Sequence, residues 1–187
     1  MGIAEIEKTH LLFKVVLRVQ LDFISFHMQN DLAEVERFLL EEAPSVLEGL
    51  KEDAKPLWGL MTPQHMVEHL IVTYKLSIGR IKIPVVSNEE DRERLKAYLM
   101  KDSPMRRSVP SPTGKNELQP LRSASFEEAK NKFIKETSAF VDFMKAEPDH
   151  LADHPFGGAM RADEWVLFHR KHIKHHFIQF GLIPDYE

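Results

Sequence analysis

Histidines near the carboxyl end of the chain are the side chains best suited to chemistry in this sequence. Residues 163–181, DEWVLFHRKHIKHHFIQFG, contain four of the ten histidines. On a helix that turns about 100° per residue, His169, His172 and His176 fall within about 60° of one another, whereas His175 lies off this stripe. Apolar positions flank the stripe, so these three imidazoles are predicted to face the protein core.

A bound metal ion is one explanation for imidazoles in that position. Burying an imidazole without a partner costs about 1–3 kcal/mol, and coordination to a metal offsets that cost. His172 and His176 have the i, i+4 spacing at which two helical histidines chelate one ion. The alternatives are hydrogen-bonded core histidines or a solvated helix face. The stripe favours a divalent ion, and imidazole ligands accommodate Zn, Ni, Fe or Co.

The composition limits the classes of function. A chain of 187 residues is typical of one domain with a sizeable core. The net charge of −4 provides no basic excess to bind a phosphate backbone, so no nucleic-acid partner is expected. The sequence contains no cysteine, which excludes disulfides and thiolate ligands. Thiol chemistry would therefore require an exogenous thiol.

The first part of the chain is ambiguous. Residues 15–26 alternate in part like a strand, and a helical face can also be drawn through them. They are interrupted by charges, and no apolar stretch of about 18 residues is present, so no membrane partner is expected and the default location is the cytoplasm. We predict an N-terminal extension over residues 1–28, dispensable for folding, and one domain over residues 29–187.

The elements that must position the histidines are helices. Asn30 or Asp31 is the expected cap of a first helix that ends near Pro44, with a shorter helical piece after it. Thr62, followed by proline, predicts the start of a second helix that extends to about Gly79. This second helix carries further histidines that could face those of the last helix.

The rest of the chain connects the second helix to the last one. Residues 80–125 are rich in proline and contain one charged helical segment, so they are either a plain crossover or a cover over one end of the domain. Ser125 opens a capping box for a third long helix that ends at Glu147. The loop that follows contains His150 and His154, which are predicted to be surface residues.

The helical pattern resembles a known family. Four long helices, with an inward histidine on the second and a histidine pair on the last, resemble the DinB/YfiT-like metalloenzyme superfamily. The motifs PLWGLMTPQHMVEHL, HPFGGAM and DEWVLFHRKHIKHHFIQFG match one subgroup of unknown function more specifically. The resemblance covers about Leu32 to Ile183. It implies an all-α fold: a four-helix bundle with a long crossover connection.

The resemblance also implies a metal site. In that superfamily, a histidine before a leucine on the second helix and an HxxxH pair three residues before a glutamine hold a divalent metal. These positions correspond to His69, His172 and His176, with Gln179 as the glutamine. Better-known relatives use the metal to activate low-molecular-weight thiols. Arg161 departs from the pattern, because relatives commonly have a capping threonine or serine at that position.

We therefore expect a metal-dependent transferase or hydrolase that activates an exogenous thiol or water for a small-molecule substrate. Three neutral imidazoles leave the ion its full charge, which favours deprotonation of a bound nucleophile. His169 lies one turn from His172 on the same stripe and is the predicted general base, ahead of Glu68.

Two other functions compete with this expectation. HMVEH fits the HxxEH pattern of inverted zinc peptidases, with His65 and His69 as ligands and Glu68 as the base, but it leaves the last helix without a role. The second is a non-catalytic metal-stabilised bundle that binds a small molecule or a partner subunit, a homodimer among the options. In that case His65 or His169 could supply a fourth ligand and close the coordination sphere.

Overall fold

The computed structural model describes residues 32–101, 103–107, 109 and 117–185. Backbone contacts divide the chain into residues 1–34 and residues 35–187. The predicted extension over residues 1–28, its boundary with the domain and the proposed caps of the first helix lie outside the described residues. Those expectations stay predictions.

The described part of the chain is mostly helical, with one small antiparallel sheet. Its elements are a π-helical segment Phe38–Glu42, α1 (Ala43–Glu48), α2 (Pro63–Ser77), α3 (Glu89–Leu99), α4 (Phe126–Ala146), β1 (Leu151–His154), β2 (Gly158–Arg161) and α5 (Ala162–Gln179). The prediction of a helical fold is confirmed at this level, and the two strands were not predicted. Within the described residues, every helix is too short or too polar to span a lipid bilayer.

Side-chain caps set the helix starts that the sequence predicted. The Thr62 hydroxyl accepts the backbone N–H of His65 at 3.4 Å, with a proline at the first helical position. The Ser125 hydroxyl accepts the N–H of Glu128 at 3.1 Å, and the Glu128 carboxylate accepts the N–H of Ala124 at 2.7 Å. These bonds satisfy backbone donors that have no partner within the helix. The predicted starts of α2 and α4 are therefore confirmed.

The first helical region does not stop at its proline. The chain remains helical through Pro44, since a π-helical segment leads directly into α1. The N–H of Ala43 bonds to the carbonyl of Phe38, five residues earlier, which widens the turn before the proline. A wider turn accommodates the proline ring, which would clash with the preceding turn inside a regular α-helix. The predicted helix end near Pro44 is thus corrected, and the shorter helical piece expected after it belongs to α1, which ends at Glu48.

The core lies where α2, α4 and α5 meet. Helix α2 packs along α4, and α5 contacts α1, α2, α3 and β2. The ring of Tyr74 lies 5.9 Å from Phe133 and 5.2 Å from Phe140, measured between centroids, and Trp165 and Phe177 are fully buried on α5. Aromatic side chains of this size contribute much of the apolar area removed from water on folding. The buried aromatic residues of α5 therefore pack against the elements around this helix.

A β-hairpin replaces the loop predicted before α5. Strands β1 and β2 pair in register from Leu151 opposite Arg161 to His154 opposite Gly158. His154 is buried, contrary to the prediction of a surface residue, because its ring packs 4.6 Å from Phe168. His150 is half-buried, and its Nε2 lies 3.0 Å from the backbone carbonyl of Ser77 at the end of α2.

His154 also forms the turn of this hairpin. Its Nδ1 accepts the backbone N–H groups of Phe156 at 3.1 Å and Gly157 at 3.0 Å. This nitrogen must therefore be unprotonated in the folded protein. Burial lowers the pKa of His154 from 6.5 to about 4. The folded state consequently binds fewer protons than the unfolded state between these two values.

We predict that His154→Asn reduces the pH dependence of stability. Wild type should lose about 3 kcal/mol of unfolding free energy through His154 as the pH falls from 6.5 to about 4, because the lowered pKa favours folding only above that window. Asparagine can accept the same turn N–H groups through its oxygen and does not titrate. Urea unfolding at several pH values measures the difference. Equal pH slopes for the two proteins would contradict this role.

Candidate metal centre

Three imidazoles from two helices converge in the core. His69 lies on α2, and His172 and His176 lie one turn apart on α5. The Nε2 atom of His172 is 3.0 Å from that of His69 and 3.0 Å from that of His176. In the part of the chain that is described, these side chains form a group whose potential ligand atoms all lie within 4.8 Å of one another. We call them the three-imidazole group.

The tautomer of His176 follows from its neighbour. His176 Nδ1 lies 2.8 Å from Gln179 Oε1, and the Gln179 amide nitrogen donates to the carbonyl oxygen of Trp58 at 2.8 Å. A carbonyl can only accept, so the amide must turn its nitrogen toward Trp58 and its oxygen toward His176. His176 therefore carries its proton on Nδ1. Its Nε2 presents a lone pair to the other two imidazoles.

Protons alone cannot give every ring nitrogen of the three-imidazole group a hydrogen-bond partner. A single proton on His172 Nε2 can be shared with one neighbouring imidazole, which leaves the other lone pair without a donor. The Nδ1 of His172 is buried and has no hydrogen-bond partner. Burial, and next the charge that protonated His176 would carry, lowers the pKa of His172 well below 6.5. Additional protons are therefore strongly disfavoured at neutral pH.

A divalent cation fits the three-imidazole group. Zinc lies about 2.0–2.1 Å from each imidazole nitrogen in protein sites, and nitrogens about 3 Å apart can reach one such ion. Burial, and then the neighbouring His175, lowers the pKa of His69 to about 4; burial, and then His69, lowers the pKa of His176 well below 6.5. Imidazoles that remain neutral at pH 7 have the protonation state that metal ligands need.

His169 lies in a different environment, although it shares the helix stripe. It is fully buried and stacks on Tyr74 with 4.2 Å between ring centroids. Its Nε2 is 3.0 Å from the hydroxyl of Ser77, which itself donates to the Tyr74 carbonyl at 2.8 Å. His169 must then donate from Nε2, and its Nδ1 is buried without a partner. Its role as general base stays a prediction that this geometry does not favour.

His65 is separate from the three-imidazole group. Its Nδ1 lies 2.6 Å from the hydroxyl of Thr62, one turn earlier at the cap of α2. The inverted zinc-peptidase hypothesis requires His65 and His69 to bind the same ion. Among the described residues, the group that could hold a metal consists of His69 and two residues of α5 instead.

The Glu68 carboxylate forms hydrogen bonds with backbone N–H groups, which is a structural role and not that of a general base. Its carboxylate accepts the N–H groups of Arg122 at 2.8 Å and Ser123 at 2.9 Å, together with the side-chain amide of Gln64 at 3.1 Å. Burial raises its pKa, but hydrogen bonds from Ser123, Arg122 and Gln64 hold the pKa below the ordinary value. A carboxylate so engaged is a poor proton acceptor. Glu68 therefore anchors the segment that leads into α4.

The outer face of α5 holds the crossover in place. The buried ammonium of Lys171 donates to the backbone carbonyls of Lys101 and, at 3.0 Å, Ser103. One turn later, burial and then the charge of Arg107 lower the pKa of His175, while the nearby backbone of Met105 acts in the opposite direction. These contacts with the crossover were not predicted, although Lys171 and His175 lie four residues apart beside the inward stripe. Part of the predicted crossover therefore lies along the helix that carries two of the three imidazoles.

The start of α5 is capped without threonine or serine. Arg161 stands at the cap position, and its backbone N–H donates to the Glu164 carboxylate at 2.8 Å. The Asp163 carboxylate accepts the N–H of Glu164 at 3.0 Å and the guanidinium Nε of Arg161 at 3.0 Å. Acidic residues in the first turn also suit the helix dipole. The departure from the family pattern at Arg161 is thus compensated by its neighbours.

Part of the chain is similar to a known protein family. The sequence profile of a family described as "Protein of unknown function (DUF1569)" matches residues 99–181, which is less than half of the chain. Among curated proteins, none matches the chain. The matched stretch contains His172, His176 and Gln179, whereas His69 lies upstream of it. The similarity therefore covers the α5 part of the three-imidazole group and carries no activity with it.

We predict that His169→Ala destabilises the fold. Removing a fully buried ring that stacks on Tyr74 should lower the unfolding free energy by about 3 kcal/mol, in the range of large-to-small core substitutions. Thermal and urea unfolding of the metal-free protein measure this. His65→Ala is the matched control, and it should change the free energy by less than about 0.5 kcal/mol. Unchanged stability of His169→Ala would contradict a structural role in the core.

Proposed function

We propose that this protein is a metal-dependent transferase or hydrolase that binds one divalent ion through the three-imidazole group. The observation that carries the proposal is the convergence of three Nε2 atoms, with 3.0 Å between His172 and each of the other two. These three nitrogens have low proton affinity and lie in a largely apolar core. A metal cation is therefore the partner that suits their lone pairs best. The proposed ion is Zn, Ni, Fe or Co, since imidazole suits each of them.

We further propose that the domain is a DinB/YfiT-like four-helix bundle with a long crossover. Support comes from the long helices α2, α4 and α5, which share one core, and from the helical residues before α1 that pack on α4. The histidines that the resemblance assigns to the metal are the ones that lie together. The crossover between α2 and α4 contacts α5, as an element that encloses one side of a bundle would do.

The incomplete ligand set favours an enzyme over a closed structural site. Structural zinc sites have four protein ligands, whereas catalytic ones have three and an open position. Both candidates for a fourth ligand are otherwise engaged: His65 with the Thr62 hydroxyl and His169 with the Ser77 hydroxyl. His69 is half-buried while His172 and His176 are buried, so His69 is the most exposed of the three.

The chemistry follows from this open position. A divalent ion held by neutral imidazoles lowers the pKa of a bound water or thiol, which produces a nucleophile at neutral pH. His69, His172 and His176 would hold the ion, and the buried aromatic residues around α5 would exclude water from its other sides. The chain contains no cysteine, so a thiol nucleophile must come from solution. A low-molecular-weight thiol is accordingly the proposed co-substrate.

We predict that the metal content depends on three histidines and not on a fourth. Protein expressed without an affinity tag should carry about one divalent ion per chain, measured by mass spectrometry of the metals. His69→Ala, His172→Ala and His176→Ala should each lose most of that ion, because two imidazoles are left. His65→Ala is the matched control and should keep it. Full retention by both α5 variants would reject the site.

The same variants separate an enzyme from a binding protein. Wild type loaded with metal should turn over a substrate in a screen of thiols with acyl thioesters or other electrophiles, and the metal-free variants should not. If the metal raises thermal stability but no thiol or water-dependent turnover is found, the non-catalytic alternative is favoured. With a substrate in hand, His169→Ala tests the general base: lost turnover with retained metal and fold would support it.

A further inference from the structure

Gln179 is buried at the end of α5 and connects two parts of the chain. Its side chain is 4% exposed. Its oxygen lies 2.8 Å from His176 Nδ1, and its nitrogen donates to the Trp58 carbonyl at 2.8 Å. Both ends of the amide are therefore occupied, and only one orientation satisfies them. A side chain held at both ends fixes the direction of the imidazole that it contacts.

The segment before α2 is shaped around this amide. The N–H of Leu57 donates to the backbone carbonyl of Gln179 at 2.7 Å, beside the bond between Trp58 and the side chain. Gly59 has a φ of 78°, and a Cβ at that position would lie 3.0 Å from the Gln179 nitrogen. Glycine supplies both the left-handed backbone and the space for the amide. Leu57 and Trp58 thus bond to Gln179, and Gly59 leaves the space that its amide needs.

We infer that Gln179 is a positioning residue, which keeps the proton of His176 on Nδ1 and directs the Nε2 lone pair at His172 and His69. The inference rests on the proposed function in so far as that lone pair serves a metal. It concerns His176 in particular, because the outer nitrogen of His172 has no partner in the described structure. Of the α5 pair, His176 is therefore the imidazole whose tautomer a side chain sets.

Hydrogen bonds to the outer nitrogen of a metal-ligating histidine affect how tightly the metal binds. Such partners orient the ring and raise its basicity, and their loss lowers metal affinity about 10–100-fold. Losing the Gln179 oxygen would free His176 to rotate or to place its proton on Nε2. Either change removes one of the three converging lone pairs. Setting the tautomer of His176 is distinct from anchoring the end of α5. The bonds of Gln179 to Leu57 and Trp58 serve the second role.

Two substitutions separate these two roles. Gln179→Ala loses the bond to His176 and the bond to Trp58. Gln179→Glu loses the donor to Trp58 but keeps an oxygen that accepts from His176 Nδ1. We expect the affinity for Co²⁺ or Zn²⁺, measured by competition with a chelator, to fall about 10–100-fold in Gln179→Ala and to remain within about threefold of wild type in Gln179→Glu. Both variants should lose thermal stability.

The control is Gln64→Ala on α2. Gln64 also makes two hydrogen bonds through its amide, to Glu68 and to the carbonyl of Ser123, without touching an imidazole. Its loss should leave metal affinity unchanged. Wild-type affinity in Gln179→Ala would overturn the inference. An equal loss in Gln179→Ala and Gln179→Glu would also overturn it, because anchoring of the helix end would then explain the whole effect.

The tautomer of His176 in metal-free protein tests the inference independently of metal. Long-range ¹H–¹⁵N spectra of the imidazoles should assign the proton to Nδ1 in wild type and to Nε2, or to a mixture, in Gln179→Ala. A wild-type proton on Nε2 would overturn the inference even if the protein binds metal. The expected tautomer in a protein that binds no metal would support the role of Gln179 and would reject the proposed function instead.

Discussion

The close approach of three imidazole nitrogens from two helices is the constraint on which the rest of this structure depends. His69, His172 and His176 present nitrogens to one another in a core that strongly disfavours additional protons. Bringing these three nitrogens together costs free energy unless a cation is bound. The contacts of the surrounding residues must therefore hold the imidazoles in place. Helix α5 is accordingly held along its length: at its start by acidic side chains, along its outer face by carbonyls of the crossover, and at its end by the segment before α2.

Histidines of one stripe differ because of what faces them. His169 and His172 are one turn apart on α5, but His169 meets Ser77 and Tyr74 from α2 whereas His172 meets His69. His169 thus has a hydrogen-bond partner in the Ser77 hydroxyl and an aromatic ring to stack on. His172 instead faces a second imidazole, which is also a base. Periodicity gives the direction of a side chain from its own helix and says nothing of the opposing residue. The stripe alone therefore could not separate a core histidine from a ligand.

Local signals predicted much of this fold, and contacts distant in sequence account for what they missed. The starts of α2 and α4 were predictable because Thr62 and Ser125 cap them through bonds that span three residues. The grouping of His69 with the α5 pair was anticipated through the resemblance to the DinB/YfiT-like pattern, which carries long-range information that periodicity lacks. The burial of His154 was not predictable, because it depends on aromatic side chains of α5 and on a hairpin whose strands are four residues long. The π-helical turn before Pro44 likewise reflects a local compromise that no propensity scale indicates.

The site is divided between segments that come together only in the folded chain. The stretch similar to the family of unknown function includes the α5 pair and Gln179, but His69 and the residues that hold the Gln179 amide lie upstream of it. An unfolded chain can offer the i, i+4 pair to a metal, but it cannot offer the third imidazole at a fixed distance. Binding of an ion by all three would therefore favour the folded state over the unfolded one, by an amount set by the ion's concentration relative to its dissociation constant. Metal binding and the packing of α2 against α5 would for this reason be one coupled equilibrium, in which anything that loosens α2 from α5 would weaken the proposed site even when all three histidines are intact.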